Sequence, residues 1–186
     1  MKAPPKRGGG ARPATQEVRR LGEALGARVE DVLGHTVASA KASAAGSGQA
    51  FDAGVRDSFE RIGRSSTTAV ARWMAGGNPE AGRETGQEAW HTYGQLAAQS
   101  AAPLNEVTKR CLRWRDAVGT VLRECATEMG ISAEALAEAL SMTQRTLDVT
   151  LVRMCEAFEQ ERARIEQELT RRQEELAFME IGRAHV

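Results

Sequence analysis

Aromatic side chains are scarce in this chain of 186 residues: one Tyr, four Phe and three Trp. Strands draw on aromatic and β-branched side chains, so this scarcity, with Ala the commonest apolar residue, disfavours an all-β fold and favours closely packed helices. Net charge is also missing. Lys plus Arg and Asp plus Glu number 25 each, whereas a general nucleic-acid binder carries a large positive excess. No nucleic-acid partner is expected. Long apolar runs are absent too, none approaching the roughly 20 residues that span a bilayer, and no membrane partner is expected. Residues 1–14 are basic and rich in Pro and Gly without an apolar stretch behind them. They read as a disordered tail and not as a secretory signal.

Cysteine is limited to Cys111, Cys125 and Cys155, an odd count with no CxxC spacing. Scattered thiols within helices fit a reducing cytoplasm and small buried hydrophobes, with a redox-sensing thiol as the alternative. No GxGxxG, GxxxxGK[ST] or GxSxG motif occurs, and Gly8-Gly9-Gly10 has no strand before it to make a phosphate loop. His35 and His91 lack ligand-spaced neighbours. Neither a catalytic residue nor a metal or cofactor is expected in these residues.

Helical periodicity is plentiful. Val18, Leu21, Leu25, Val29, Val32 and Thr36 recur at spacings of three and four, which predicts a first helix from Thr15. Ala42–Gly48 reads as a loop or frayed end. A second helix is expected over Gln49–Met74, with apolar Phe51, Val55, Phe59, Ile62, Val70 and Trp73. Its polar middle, Ser65-Ser66-Thr67-Thr68, predicts a kink or a close approach of another helix, and Gly76-Gly77 a C-cap. Asn78-Pro79-Glu80 is a start signal for the next element. A third helix is expected over Glu84–Ala101 and a fourth from Pro103, stopped by Gly130.

Ser132 caps a fifth helix, and neither Pro nor Gly interrupts Ala133–Glu180. At 1.5 Å per residue that stretch reaches roughly 70 Å, longer than so small a domain. Its second half is mostly charged, with sparse apolar residues. Leu151, Phe158, Ile165, Arg172 and Met179 follow a seven-residue repeat, while Leu169 and Leu176 slip by one position from the row Leu147, Met154, Glu161. A parallel two-stranded coiled coil would bury such a stripe, and the slip would let it switch between two packings. The expected dimer and transmission residues are Leu147, Leu151, Met154, Phe158, Ile165, Leu169 and Leu176. The fold expected is all-α, a helical bundle over residues 15–157 and a coiled-coil linker over 158–180.

Trp73, Trp90, Tyr93 and Trp114 are candidates for lining a pocket, although large aromatics at helical spacing more often form core. Arg110, Arg113 and Arg115 flank Trp114 as a basic turn that either binds an anion or pairs with nearby acids.

Residues 181–186, Ile-Gly-Arg-Ala-His-Val, are similar to the translation of a common sequencing-library adapter. The expectation is that they are foreign to the protein and that the chain is the front part of a longer one. Just before them, Leu176-Ala177-Phe178-Met179 at the end of a charged coil resembles the lead-in to a GGDEF domain. The body resembles the helical regulatory domains that precede bacterial output domains, the RsbRD type being the nearest. That resemblance rests on Pro103-Leu104-x-x-Val107, on Trp114 within LRWRDA and on the long last helix.

These resemblances imply a bundle-like or globin-like, dimeric input module of a cytoplasmic bacterial signalling protein. Its output would be a diguanylate cyclase making cyclic di-GMP, beyond the present sequence, and the module itself would not be an enzyme. A small-molecule signal or a protein partner would act on the bundle. A partner-switching interaction domain and a histidine kinase input module are the alternatives. A haem sensor is a further one, with His91 as its ligand, although no Phe-rich pocket is evident.

Overall fold

The computed structural model describes residues 16–44, 53–77, 91–99 and 104–184, with side chains over 16–42, 57–77, 91–99 and 104–179. All regular structure among them is helical: α1 (Gln16–Ala27), α2 (Val29–Ala44), α3 (Ala53–Met74), α4 (residues 91–99), α5 (Leu104–Met129) and α6 (Ala133–Ala184). The expected all-α bundle with a long last helix is the observed architecture. Thr15, Phe51, Asn78–Trp90 and Pro103 lie outside the described residues, as does the start expected for the second helix.

The first apolar stripe is divided between two helices. Val18, Leu21 and Leu25 of α1 are fully buried, as is Val32 of α2, but the chain turns at Arg28. There the Arg28 amide donates to the Leu25 carbonyl at 3.1 Å, a tighter pattern than an α-helix makes. The two helices need different directions because α1 packs chiefly on α3 and α2 chiefly on α5. Gly22 shows why α1 is held so close: a Cβ there would lie 2.6 Å from the Ala71 carbonyl oxygen of α3. Each fully buried Leu on α1 contributes roughly 2 kcal/mol of apolar burial.

The caps follow the sequence signals. Gly76 and Gly130 adopt φ of 92° and 62°. At both ends the next residue's amide reaches back into the helix, Gly77 to the Arg72 carbonyl and Ile131 to the Ala126 carbonyl, each at 2.9 Å. This is the left-handed stop that glycine adopts without strain. Ser132 Oγ accepts from the Ala135 amide at 3.3 Å and starts α6. The same Ser132 hydroxyl donates to Glu17 of α1 in a short hydrogen bond, so the first turn of α1 anchors the start of α6.

The core collects Val107, Cys111, Trp114, Val118, Val121, Leu122 and Cys125 along α5, with α1, α2, α3, α4 and α6 around it. Thr67 and Ser66 are buried inside this core, within the one helix that runs from Ala53 to Met74. The small residues of α3 make room for α5: the Trp114 indole donates to Thr67 Oγ1 at 2.9 Å, and Leu33 of α2 approaches Gly63. Helix α6 has 52 residues and so spans about 78 Å. It continues through residues 181–184, past the point where the sequence changes character.

Candidate functional site

The last helix is where the features expected to carry function meet the rest of the molecule. Its first half belongs to the bundle. Leu147 and Met154 are fully buried and Phe158 nearly so, while Leu151 packs against the same core. Helix α5 faces this stripe through Cys111, whose Sγ lies 3.6 Å from Met154 Sδ. Helix α4 faces it through Gly94, where a Cβ would lie only 2.5 Å from the Met154 carbonyl oxygen. Glycine therefore sets the α4–α6 distance.

The bundle ends at a buried carboxylate. Glu161 is 6% exposed although it sits on the apolar face. Gln99 of α4 donates to it at 2.9 Å, and Arg164 donates twice, at 2.7 and 3.0 Å. The Arg164 guanidinium and then the Gln99 amide hold its pKa down to about 2. Charge-assisted bonds of this kind favour the ionised form, so the carboxylate tolerates its position.

Beyond Glu161 the helix leaves the bundle. Ile165 is half-buried, Leu169 is 54% exposed and Leu176 is 57% exposed. Phe178 and Met179 are exposed as well. The seven expected transmission residues therefore divide into four that serve the bundle and three on a projecting stalk. The stalk's charges pair along the helix itself, Arg171 and Arg172 both with Glu168 at 3.0 Å. A groove beside Ala163, Glu166 and Thr170 is lined by this one helix alone.

The described aromatics stand at three levels of α3 and not around one cavity. Tyr93 packs its ring on Phe59, centroids 5.8 Å apart, and its hydroxyl accepts from Arg110 at 2.7 Å. Trp114 meets Thr67, and Trp73 lies half-buried beneath the Arg145 guanidinium at 5.7 Å. Phe59, Thr67 and Trp73 are separated by eight and six residues, about 12 and 9 Å along the helix. Trp90 lies outside the described residues. Burial pushes the Tyr93 phenol up, with Arg110 opposing it.

The basic turn separates by function. Arg110 is buried, with its guanidinium 5.8 Å from the Phe59 ring centroid, whereas Arg115 pairs with Asp116 at 2.8 Å. Arg113 is half-buried on the same helix and helps to lower the carboxyl of Glu106 after Lys109 does. A residue that carried no sequence signal, Arg28, holds the α1–α2 turn on α5. It donates to Asp31 and Glu124, each at 2.6 Å, and lies 3.4 Å from Glu128.

Cys111 and Cys125 are buried and Cys155 is half-buried. Burial pushes the Cys111 thiol far up, and the Cys155 thiol up as well. His91 is exposed, and His35 lies 3.8 Å from Glu124. Among the described residues no group of three His, Cys, Asp or Glu is arranged to hold a metal, and no helix is long and apolar enough to cross a membrane.

Gly22, Gly94 and Gln99 had no motif to announce them, because their roles come from helices distant in sequence. No family model, curated protein or solved structure matches this chain.

Proposed function

We propose that the chain is the signal-input and dimerisation module of a cytoplasmic bacterial signalling protein. In this reading a ligand or partner alters the packing of the bundle, and α6 carries the change to a following output domain. The supporting observation is the division of α6: one uninterrupted helix is core at Leu147, Met154 and Phe158 and exposes Leu169 and Leu176 on its projecting part. A rigid rod rooted in a core transmits a shift at its base along its whole length. The Leu176–Met179 segment favours a diguanylate cyclase as the output domain, and catalysis is assigned to that domain and not to these helices.

Sedimentation of the full chain tests the dimer. The expected result is a dimer that becomes a monomer in the double variant Leu169→Lys, Leu176→Lys, with helical circular dichroism of the bundle retained. A wild-type chain that stays monomeric at high concentration would overturn the reading. Reading the gene past codon 179 tests the output domain. A segment of the THDxLTGLPNR type supports the cyclase, and a stop codon removes it.

A partner-switching scaffold is the second reading. It is favoured by Val149 and Val152, which are 42% and 59% exposed on the outer side of the bundle half of α6. On that reading Val152→Asp abolishes capture of a protein partner while the stalk variants leave it intact.

A further inference from the structure

The apolar row of α6 changes phase at one place. From Leu147 through Leu151, Met154, Phe158 and Glu161 to Ile165 the steps alternate between four and three residues. From Leu169 through Arg172 and Leu176 to Met179 they alternate again, but the step from Ile165 to Leu169 is a second four in succession. Two fours in succession are a stutter, which locally unwinds a coiled coil. It falls just past Glu161, where the bundle ends. Leu147 and Ile165, eighteen residues apart, are separated by about five whole turns, so both rows lie on one side of the rod.

At the bundle end that side is taken by α4. Gly94 seats it against the α6 backbone, with a would-be Cβ 2.5 Å from the Met154 carbonyl oxygen and 3.2 Å from the Phe158 amide nitrogen. Further along, Gln99 donates to Glu161 at 2.9 Å. The other end of α4 is tied to the bundle interior, where Tyr93 packs on Phe59 of α3 and accepts from Arg110 of α5. Packed helices lie about 8–10 Å apart. A second α6 pairing in parallel on Leu169 and Leu176 therefore heads for the place that α4 already fills. Parallel pairing is the sense that leaves both C-terminal ends together for an output domain. Its seam is weak, because Arg172 stands in the row and pairs with Glu168 of its own helix at 3.0 Å, and a polar residue in a seam costs stability. A weak seam is one that a single contact can govern.

We propose that α4 is a latch on the dimer seam: while Gly94 and Gln99 hold it on α6, two parallel copies pair only from Leu169 onward, and its release lets the seam close back over Ile165. Ile165 is half-buried and stands at the stutter itself. Glu161 sets the inner limit, since a seam that reached it would bring two carboxylates face to face. Closing over Ile165 lengthens the seam by one step of the row and turns the two helices relative to each other, a motion that reaches any pair of domains following them. Helix α4 touches the interior through Tyr93 and the stalk root through Gln99. A ligand or partner that shifts Tyr93 thereby acts on the seam. This inference rests on the dimer reading above and adds its control.

Disulfide cross-linking of the full chain by a copper–phenanthroline oxidant tests it, in a Cys155→Ser background where Cys111 and Cys125 are buried. Leu176→Cys reports the far seam and Ile165→Cys the near one. With the latch intact, Ile165→Cys should cross-link far more slowly than Leu176→Cys. Gln99→Glu sets a carboxylate against Glu161. It should raise the Ile165→Cys rate about tenfold, the factor that loss of a hydrogen bond to a charged group brings, and leave the Leu176→Cys rate unchanged. Combining Gln99→Glu with Glu161→Gln restores an amide–carboxylate pair and should return the slow rate. Gly94→Ala, which pushes α4 off the α6 backbone, is a second route to the fast rate. Helical circular dichroism checks that each variant is folded. Equal rates at the two positions with the latch intact, or a slow Ile165→Cys rate in both Gln99→Glu and Gly94→Ala, overturn the latch and leave the dimer standing. Absence of cross-linking at Leu176→Cys in every variant, with a monomer in sedimentation, overturns the dimer itself and the latch with it.

Discussion

Trp114 and Thr67 form a hydrogen bond of 2.9 Å in which both partners are fully buried, joining the middle of α5 to the middle of α3. Thr67 in turn donates to the Gly63 carbonyl at 2.7 Å. Thr67→Val keeps the shape and leaves the indole N–H without its acceptor, a loss of about 1–3 kcal/mol. Thr67→Ser retains the hydroxyl and loses less. Urea unfolding of the two variants gives that order; a larger loss in Thr67→Ser than in Thr67→Val would show that packing of the methyl outweighs the hydrogen bond.

Gly94 and Gly34 provide an opposed pair. A Cβ at Gly94 meets the backbone of α6, so Gly94→Ala displaces α4 and costs about 1–3 kcal/mol. Gly34 lies within α2 with nothing inside 4 Å of its would-be Cβ. Gly34→Ala should therefore stabilise by about 0.5–1 kcal/mol through helix propensity alone. Thermal melts of both variants should shift in opposite directions.

Glu161 gives the bundle edge a pH dependence. Its folded pKa of about 2 lies below the ordinary 4.5. A depressed carboxylate adds stability that is complete above about pH 4.5 and is lost as pH falls toward 2. Acid unfolding of Glu161→Gln should accordingly be less steep over that window than that of the wild type. Identical slopes would place the titration elsewhere.

The thiols should differ in reactivity. Cys111 and Cys125 are buried, and the raised Cys111 thiol carries little thiolate at neutral pH. A chromogenic disulfide reagent at pH 8 should find at most one thiol in the native chain, that of Cys155, and three after denaturation. Rapid reaction of two or more would revive the redox-sensor alternative.

What the sequence reveals here depends on the range of the interaction. Helix stops at Gly76 and Gly130, the Ser132 cap and the continuity of α6 are local decisions, and they were legible residue by residue. The Ser65–Thr68 segment carried an ambiguous signal, since small polar residues serve both kinks and close contacts. Only Trp114, forty-seven positions away, decides between them. Arg28 breaks the first stripe for the same reason: its partners Glu124 and Glu128 are nearly a hundred residues on. The levels at which Trp73, Tyr93 and Trp114 meet their neighbours were not legible, because periodicity identifies a face of a helix and not the height of each contact along it.

The bond between Ser132 and Glu17 also has a consequence for synthesis. It joins residues 115 positions apart. At 5–20 residues per second, a ribosome needs roughly 6–23 s to make the chain between them. During that interval α1 can already pack on α3, its main neighbour, while its anchor at the start of α6 does not yet exist. Contacts of such separation slow folding, since loop closure precedes the gain. The α1–α3 pair can therefore form early, and the closure of α1 onto the start of α6 is among the last contacts to be made as the chain is translated.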